Sequence, residues 1–220
     1  MKQSPLRVAY EPIEVAAAPT TNRRVLSKQR TRAKVLEAAR QLFLERGYEA
    51  STVRDIARRA DMSTGAVFAN FEDKADLFEA VTAEDFDRVA EAMREVAARP
   101  QGDLGERLVD ILSAGYAYYA DSLPMVQATV SQSWLRPLNA ELRGRAALKV
   151  LLGIVGDALR EAARRNEIRQ DFDVRLASEM LWDAYLANFR RAIYDGWSLE
   201  TLRARLSDQV DIVLGGLKTR

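Results

Sequence analysis

Between residues 52 and 71 the chain runs TVRDIARRADMSTGAVFANF, and this stretch limits the fold more than any other. Thr52 and Ser63 are helix-capping residue types, each at the head of a short helical segment, and Asp61-Met62 leaves room only for a tight turn between the two. Thr52 with Asp55 three positions on has the spacing of a capping box. Helices this short are not stable alone in water and must pack on each other. Ile56, Ala57, Ala60, Met62 and Val67 supply the small and apolar positions for a near-perpendicular pair, with Ala57 small enough for close approach. The spacing predicts a helix-turn-helix over 52–71, with the third helix running to about residue 71 and Ser63, Thr64, Gly65 and Ala66 facing outward.

The surrounding sequence is helical in the same sense. Val35, Ala38, Ala39, Leu42 and Phe43 recur on one helix face, and Gly47 suits a helix end. Further helices are predicted over about 74–98, 104–121, 125–134, 139–166, 174–195 and 199–214, punctuated by Pro100, Gly102, Pro124, Pro137 and Gly196. No segment alternates as a strand and no internal repeat appears. The fold class is therefore all-α with about nine helices. Residues 1–26, with Pro5, Pro12 and Pro19, read as a flexible basic arm. Residues 27–89 form the helix-turn-helix DNA-binding domain, and 90–220 a helical effector-binding and dimerisation domain.

Composition narrows the function. The 220 residues contain no cysteine and no histidine. Disulfides, thiolate chemistry, Ser-His and Cys-His nucleophile systems and the commonest metal ligand are all excluded. No metal or cofactor is expected, and only carboxylate catalysis survives as an enzymatic alternative, without a carboxylate pair to support it. The N-terminus lacks a signal-peptide core, and no apolar run is long enough for a membrane span, which leads to the expectation of a cytoplasmic protein. Net charge is +1, but residues 1–75 carry 14 Lys and Arg against 9 Asp and Glu, a net of +5. Arg23, Arg24, Lys28, Arg30, Arg32 and Lys34 lie together without an intervening acid, as a polyanion-binding end would require. Arg23, Arg24, Lys28 and Arg32 are thus candidate phosphate or minor-groove contacts.

With these residues in view, the stretch TRAKVLEAARQLFLERGYEASTVRDIARRADMSTGAVFANFEDKADLF, residues 31–78, resembles the first four helices of the TetR family of transcriptional regulators. The specific elements are AARQLFLERGY, TVRDIA, the Ser-x-Gly turn, and Phe-x-x-Phe followed by Lys74. The resemblance implies that Thr52 and Lys74 hold phosphates, that Ser63, Thr64, Gly65, Ala66 and Asn70 lie in or beside the major groove, and that Phe43 and Phe71 are core. Three positions depart from the family. Asp61 replaces a common Gly but tolerates the left-handed conformation. Phe68 replaces a Tyr whose hydroxyl reaches phosphate; it stays among the candidate DNA-binding residues by position, with packing favoured over DNA contact because it has no polar group. Asn70 stands where His or Tyr is frequent.

The C-terminal body has two notable features. The 174–195 helix is apolar on two faces, through Trp182, Leu186, Phe189 and Ile193 on one and Ala177, Met180, Leu181 and Ala184 on another, so it needs two partners. In the resembling family the last two helices pair with those of a second subunit, which nominates Leu186, Leu206, Val210, Val213 and Leu217 as a homodimer interface. The body is also rich in aromatic residues. The family's inducer pocket nominates Tyr116, Tyr119, Trp134, Trp182, Tyr185 and Phe189 for a small, largely apolar effector, although ordinary core explains any one of them. The reading is a repressor released from a palindromic operator by that effector. A regulator of the same fold governed by a protein partner is the alternative.

Overall fold

Capping residues set the helix boundaries. Thr52, Ser63, Asp73, Asp103, Asp173 and Ser198 each accept a hydrogen bond from the backbone N–H three residues on. At Asp103 the bond is reciprocated by Glu106, a complete capping box. This computed structural model describes residues 23–99, 101–133 and 138–217. Among them are nine helices and no strand: α1 (Arg23–Ala50), α2 (Val53–Arg59), α3 (Thr64–Phe68), α4 (Lys74–Ala97), α5 (Leu104–Tyr118), α6 (Leu123–Ser133), α7 (Leu138–Arg164), α8 (Val174–Asp195) and α9 (Leu199–Gly215). None of them is long and apolar enough to cross a membrane.

Several boundaries differ from expectation by two or three residues, α5 ending at Tyr118 and α6 starting at Leu123, and three differences bear on the site. α1 already begins at Arg23, so the basic residues 23–34 are carried on a helix rather than partly on an arm. Gly47, at φ 78°, kinks α1 near its end instead of ending it. α3 stops at Phe68, because the following residues turn to bring Phe71 into the core, where it is buried.

The helices close around two cores. The N-terminal core joins Val35, Leu42 and Phe43 of α1, Ile56 and Ala57 of α2, Val67 of α3, and Leu77, Phe78 and Val81 of α4. The C-terminal core joins α4, α5, α7, α8 and α9 through residues such as Met93, Leu108, Leu112, Leu151, Leu159, Leu181 and Leu206. Two helices belong to both. α4 gives Val81 to the first core and Val89 to the second, so the expected boundary at 89/90 falls inside a continuous helix. α6 gives Met125 and Ala128 to the first and Val126 to the second.

Candidate nucleic-acid interface and internal cavity

The turn between α2 and α3 is closed by backbone geometry. Asp61 takes φ 54°, its N–H donates to Arg58 O at 3.2 Å, and Met62 N–H donates to Ala57 O at 2.9 Å. This is a Schellman closure with Asp61 in the left-handed position, as the sequence predicts. Thr52 Oγ1 accepts from Asp55 N–H at 3.1 Å and donates to the Asp55 carboxylate at 2.7 Å. The Asp55 carboxylate thus accepts from the Thr52 hydroxyl and from Arg58. The Thr52 hydroxyl, with Arg58 adding to it, holds the Asp55 carboxyl below its ordinary range.

Ser63, Thr64 and Gly65 are exposed and Ala66 is half-buried. Ser63 Oγ is engaged as the α3 cap, accepting from Ala66 N–H at 3.1 Å. Asn70 is turned back on its own helix: Nδ2 donates to Ala66 O at 2.9 Å and Oδ1 is buried without a partner. Phe68 is 54% exposed, so the packing role favoured from sequence is wrong; Val67 and Phe71 anchor α3 instead. Lys74 sits over the Tyr48 ring, 4.1 Å from its centroid, and donates to Tyr48 O at 2.9 Å. Arg32 lies 4.2 Å from the Phe71 ring centroid and donates to Asn70 O at 3.2 Å, fastening α1 to the end of the helix-turn-helix. Lys28 is exposed. Arg23 and Arg24 open α1, their side chains lying outside the described ones.

The C-terminal body holds a cavity of about 410 Å³. Tyr119, Trp182, Tyr185 and Phe189 line it, as nominated. Tyr116 does not. It is stacked on Tyr185 with centroids 4.6 Å apart, donates to Tyr185 O at 3.0 Å and accepts from Asn188 Nδ2 at 3.1 Å, which makes it core. Trp134 lies outside the described residues. Much of the remaining wall comes from residues that the sequence reading did not nominate: Phe86 and Val89 of α4, Val126, Thr129, Val130 and Ser133 of α6, and Leu148 and Leu151 of α7. On α6 the signal was present, because positions 126, 129, 130 and 133 share one helix face that mixes small polar with apolar residues. Burial pushes the phenols of Tyr119 and Tyr185 well above their ordinary range, which keeps both hydroxyls protonated. Arg145 also lines the cavity, yet its side chain is 71% exposed and paired with Glu141, so it marks the mouth.

The nominated interface is corrected. Leu206 and Val210 are completely buried within one chain and Leu217 nearly so, while Val213 packs partly buried on the same core. α9 lies against α5 and α8, and this packing uses up its apolar stripe. Leu186 lines the cavity. The exposed large apolar side chains of α8 and α9 are instead Leu176, Met180 and Tyr194 on α8 and Leu199 and Ile212 on α9, the last 75% exposed.

A buried ion pair joins the two regions. Arg40 of α1 donates to Asp85 and, at 3.0 Å, to Glu84 of α4, while Tyr118 of α5 donates to Asp85 Oδ1 at 2.7 Å. Asp85 occupies the buried register Val81–Asp85–Val89 of α4, and a carboxylate there required a partner. Tyr119, beside Tyr118, is already in the cavity wall.

Residues 35–81, the stretch that builds the N-terminal core, match the family described as bacterial regulatory proteins, tetR family. The fatty acid metabolism regulator protein of Bacillus subtilis is 30% identical over 150 residues, 67% of this chain and 76% of that protein. The repressor AcnR of Corynebacterium diphtheriae is 45% identical over 64 residues, 29% of this chain and 34% of AcnR. Among solved structures, the regulator FadR of Bacillus subtilis, crystallised with stearoyl-CoA, superimposes with a TM-score of 0.67 at 26% identity over 84% of this chain and 98% of FadR. A family match that spans the helix-turn-helix, together with a relative 30% identical over 67% of this chain and 76% of its own length, leads to one conclusion: this chain belongs to the TetR family of transcriptional regulators.

Proposed function

We propose that the protein is a dimeric repressor whose grip on a two-fold symmetric operator is released by an apolar ligand in the C-terminal cavity. The observation that carries this reading is the double use of α6. One face, Val126, Thr129, Val130 and Ser133, forms cavity wall. The other, Met125 and Ala128, is packed into the N-terminal core, and Gln132 reaches Glu49 of α1 at 3.3 Å. A ligand that fits only when α6 is displaced favours a state in which the helix-turn-helix is displaced with it. The Arg40–Asp85–Tyr118 network supports the same coupling, because it ties α1 to helices next to the cavity.

Two copies pair through α8 and α9, where Leu176, Met180, Ala187 and Tyr194 follow one exposed line of α8 and Ile212 is exposed on α9. Pairing sets the two α3 helices about one DNA turn apart, roughly 34–36 Å. Thr52, Lys74 and the basic residues of α1 supply phosphate contacts, and Ser63 to Asn70 lie toward the bases.

The cavity size suits a ligand of drug-like volume. The complex of the related FadR with stearoyl-CoA makes a long-chain acyl thioester the leading candidate. Phe86, Leu148 and Phe189 suit the chain, and Arg145 at the mouth suits an anionic end. The Tyr119 and Tyr185 hydroxyls and the Trp182 N–H have no hydrogen-bond partner among the described residues, so a ligand that brings an acceptor oxygen to them gains further affinity. The test is fluorescence anisotropy on a duplex selected from a random pool, with stearoyl-CoA, stearate and coenzyme A alone as separate additions. Release by stearoyl-CoA but not by coenzyme A supports the reading. Undiminished binding together with no thermal shift from any of the three removes the acyl effector.

A further inference from the structure

We propose that Phe68 reads the 5-methyl group of thymine in the major groove, an inference that rests on the DNA-binding reading above. The polar groups of the recognition segment are mostly committed. Ser63 Oγ caps α3, and the Asn70 amide is folded onto Ala66 O with its oxygen buried. Gly65, Ala66 and Ala69 have no polar side-chain atom, and 63–71 contains neither Lys nor Arg. Thr64 alone keeps an uncommitted hydroxyl, because no hydrogen bond engages its side chain. Against this sparse background the largest group presented is the Phe68 ring, 54% exposed.

The ring is not needed to hold the fold, since the adjacent Val67 is completely buried and Phe71 nearly so. It has no donor or acceptor, so neither a phosphate oxygen nor a purine edge can bond it. The one apolar group on a base edge in the major groove is the thymine methyl. Phosphate attraction comes from elsewhere in the same domain, where Lys28, Arg30, Lys34 and Arg54 are exposed and basic. Affinity thus arises from charge on α1 and α2, while part of the selectivity arises from apolar contact at α3.

Deoxyuridine differs from thymidine only by this methyl, which makes the test direct. A duplex is selected from a random-sequence pool with the full chain, and each thymine is then replaced in turn by deoxyuridine. At one position per half-site the replacement is expected to weaken binding about fourfold, and about fifteenfold when both half-sites are changed, as burial of one methyl each requires. Phe68→Ala should bind the thymine and uracil duplexes equally, and Phe68→Leu should keep part of the discrimination. Circular dichroism melts of both variants should match the parent. Equal affinity of the parent for thymine and uracil at every position overturns the proposal, as does full discrimination by Phe68→Ala. A pool from which no duplex is enriched overturns the DNA-binding reading itself and this inference with it.

Discussion

Phe43 in the N-terminal core is completely buried and met edge-on by Phe78 at 5.3 Å, whereas Tyr119, Trp182, Tyr185 and Phe189 in the C-terminal body line open space. Both regions use capped helices and apolar stripes, so local rules do not separate them. The presence of short helices does. In the N-terminal core α2 and α3, 7 and 5 residues long, pack together with the long α1 and α4 and leave one face of α3 exposed. α4, α7 and α8 are 24, 27 and 22 residues long. Long rods that cross at an angle touch at the crossing and diverge beyond it, and side chains fill the divergence only in part. The lesson is that a stripe of aromatic residues indicates burial, while the lengths of the helices around it decide whether burial means core or cavity wall.

The sharpest way to break this contrast is on α9. Val210→Asp puts an unpaired carboxylate at a fully buried site, and a loss of more than about 4 kcal/mol is expected, seen as loss of folded protein in denaturant titration. Ile212→Asp, on the exposed side of the same helix, should leave the melt nearly unchanged and convert dimers to monomers in sedimentation velocity. The reverse pattern would return Val210 to the interface.

Next in size is the joint between the regions. Arg40→Met leaves Asp85 buried and unpaired, which should cost about 3–5 kcal/mol. Because α4 and α6 still belong to both cores, fluorescence and circular dichroism should report one shared transition. Two separate transitions would show that the regions fold independently.

Within the body, Tyr116→Phe and Tyr119→Phe distinguish core from wall. Tyr116 loses bonds to Tyr185 O and Asn188, and about 1–3 kcal/mol of stability should go with them, with effector affinity unchanged. Tyr119→Phe should change stability by less than about 0.5 kcal/mol and act on the effector instead. Equal stability losses in the two variants would erase the distinction. The smallest effect lies in the turn. Asp61→Gly relieves a left-handed non-glycine residue, and a gain of about 0.5–1 kcal/mol in chemical denaturation is expected; a loss would mean that the Asp61 side chain contributes to the turn.

Local chemistry is what made so much of the fold legible. Caps at Thr52 and Ser63, the left-handed position at Asp61 and the stop at Gly196 depend on residues within a few positions of one another, and so the chain alone shows them. Within the candidate site, the cap at Ser63 and the outward position of Thr64 were legible because both follow from their own helix. Phe68 was misjudged because an aromatic ring on a short helix has two outlets, and only the placement of Val67 and Phe71 shows which is already taken.

By itself, then, the sequence determined the helices, the caps that start most of them, the helix-turn-helix and the family, since each follows from short-range bonding and periodicity. Tertiary structure alone decided which apolar stripe faces what. Leu206 and Val210 became core because α9 sits against α5 and α8, Leu186 became cavity wall, and Ile212 was left to water. A stripe states that a face must be covered, and the covering partner is chosen by how long helices meet far apart in sequence, a relation that no local pattern encodes.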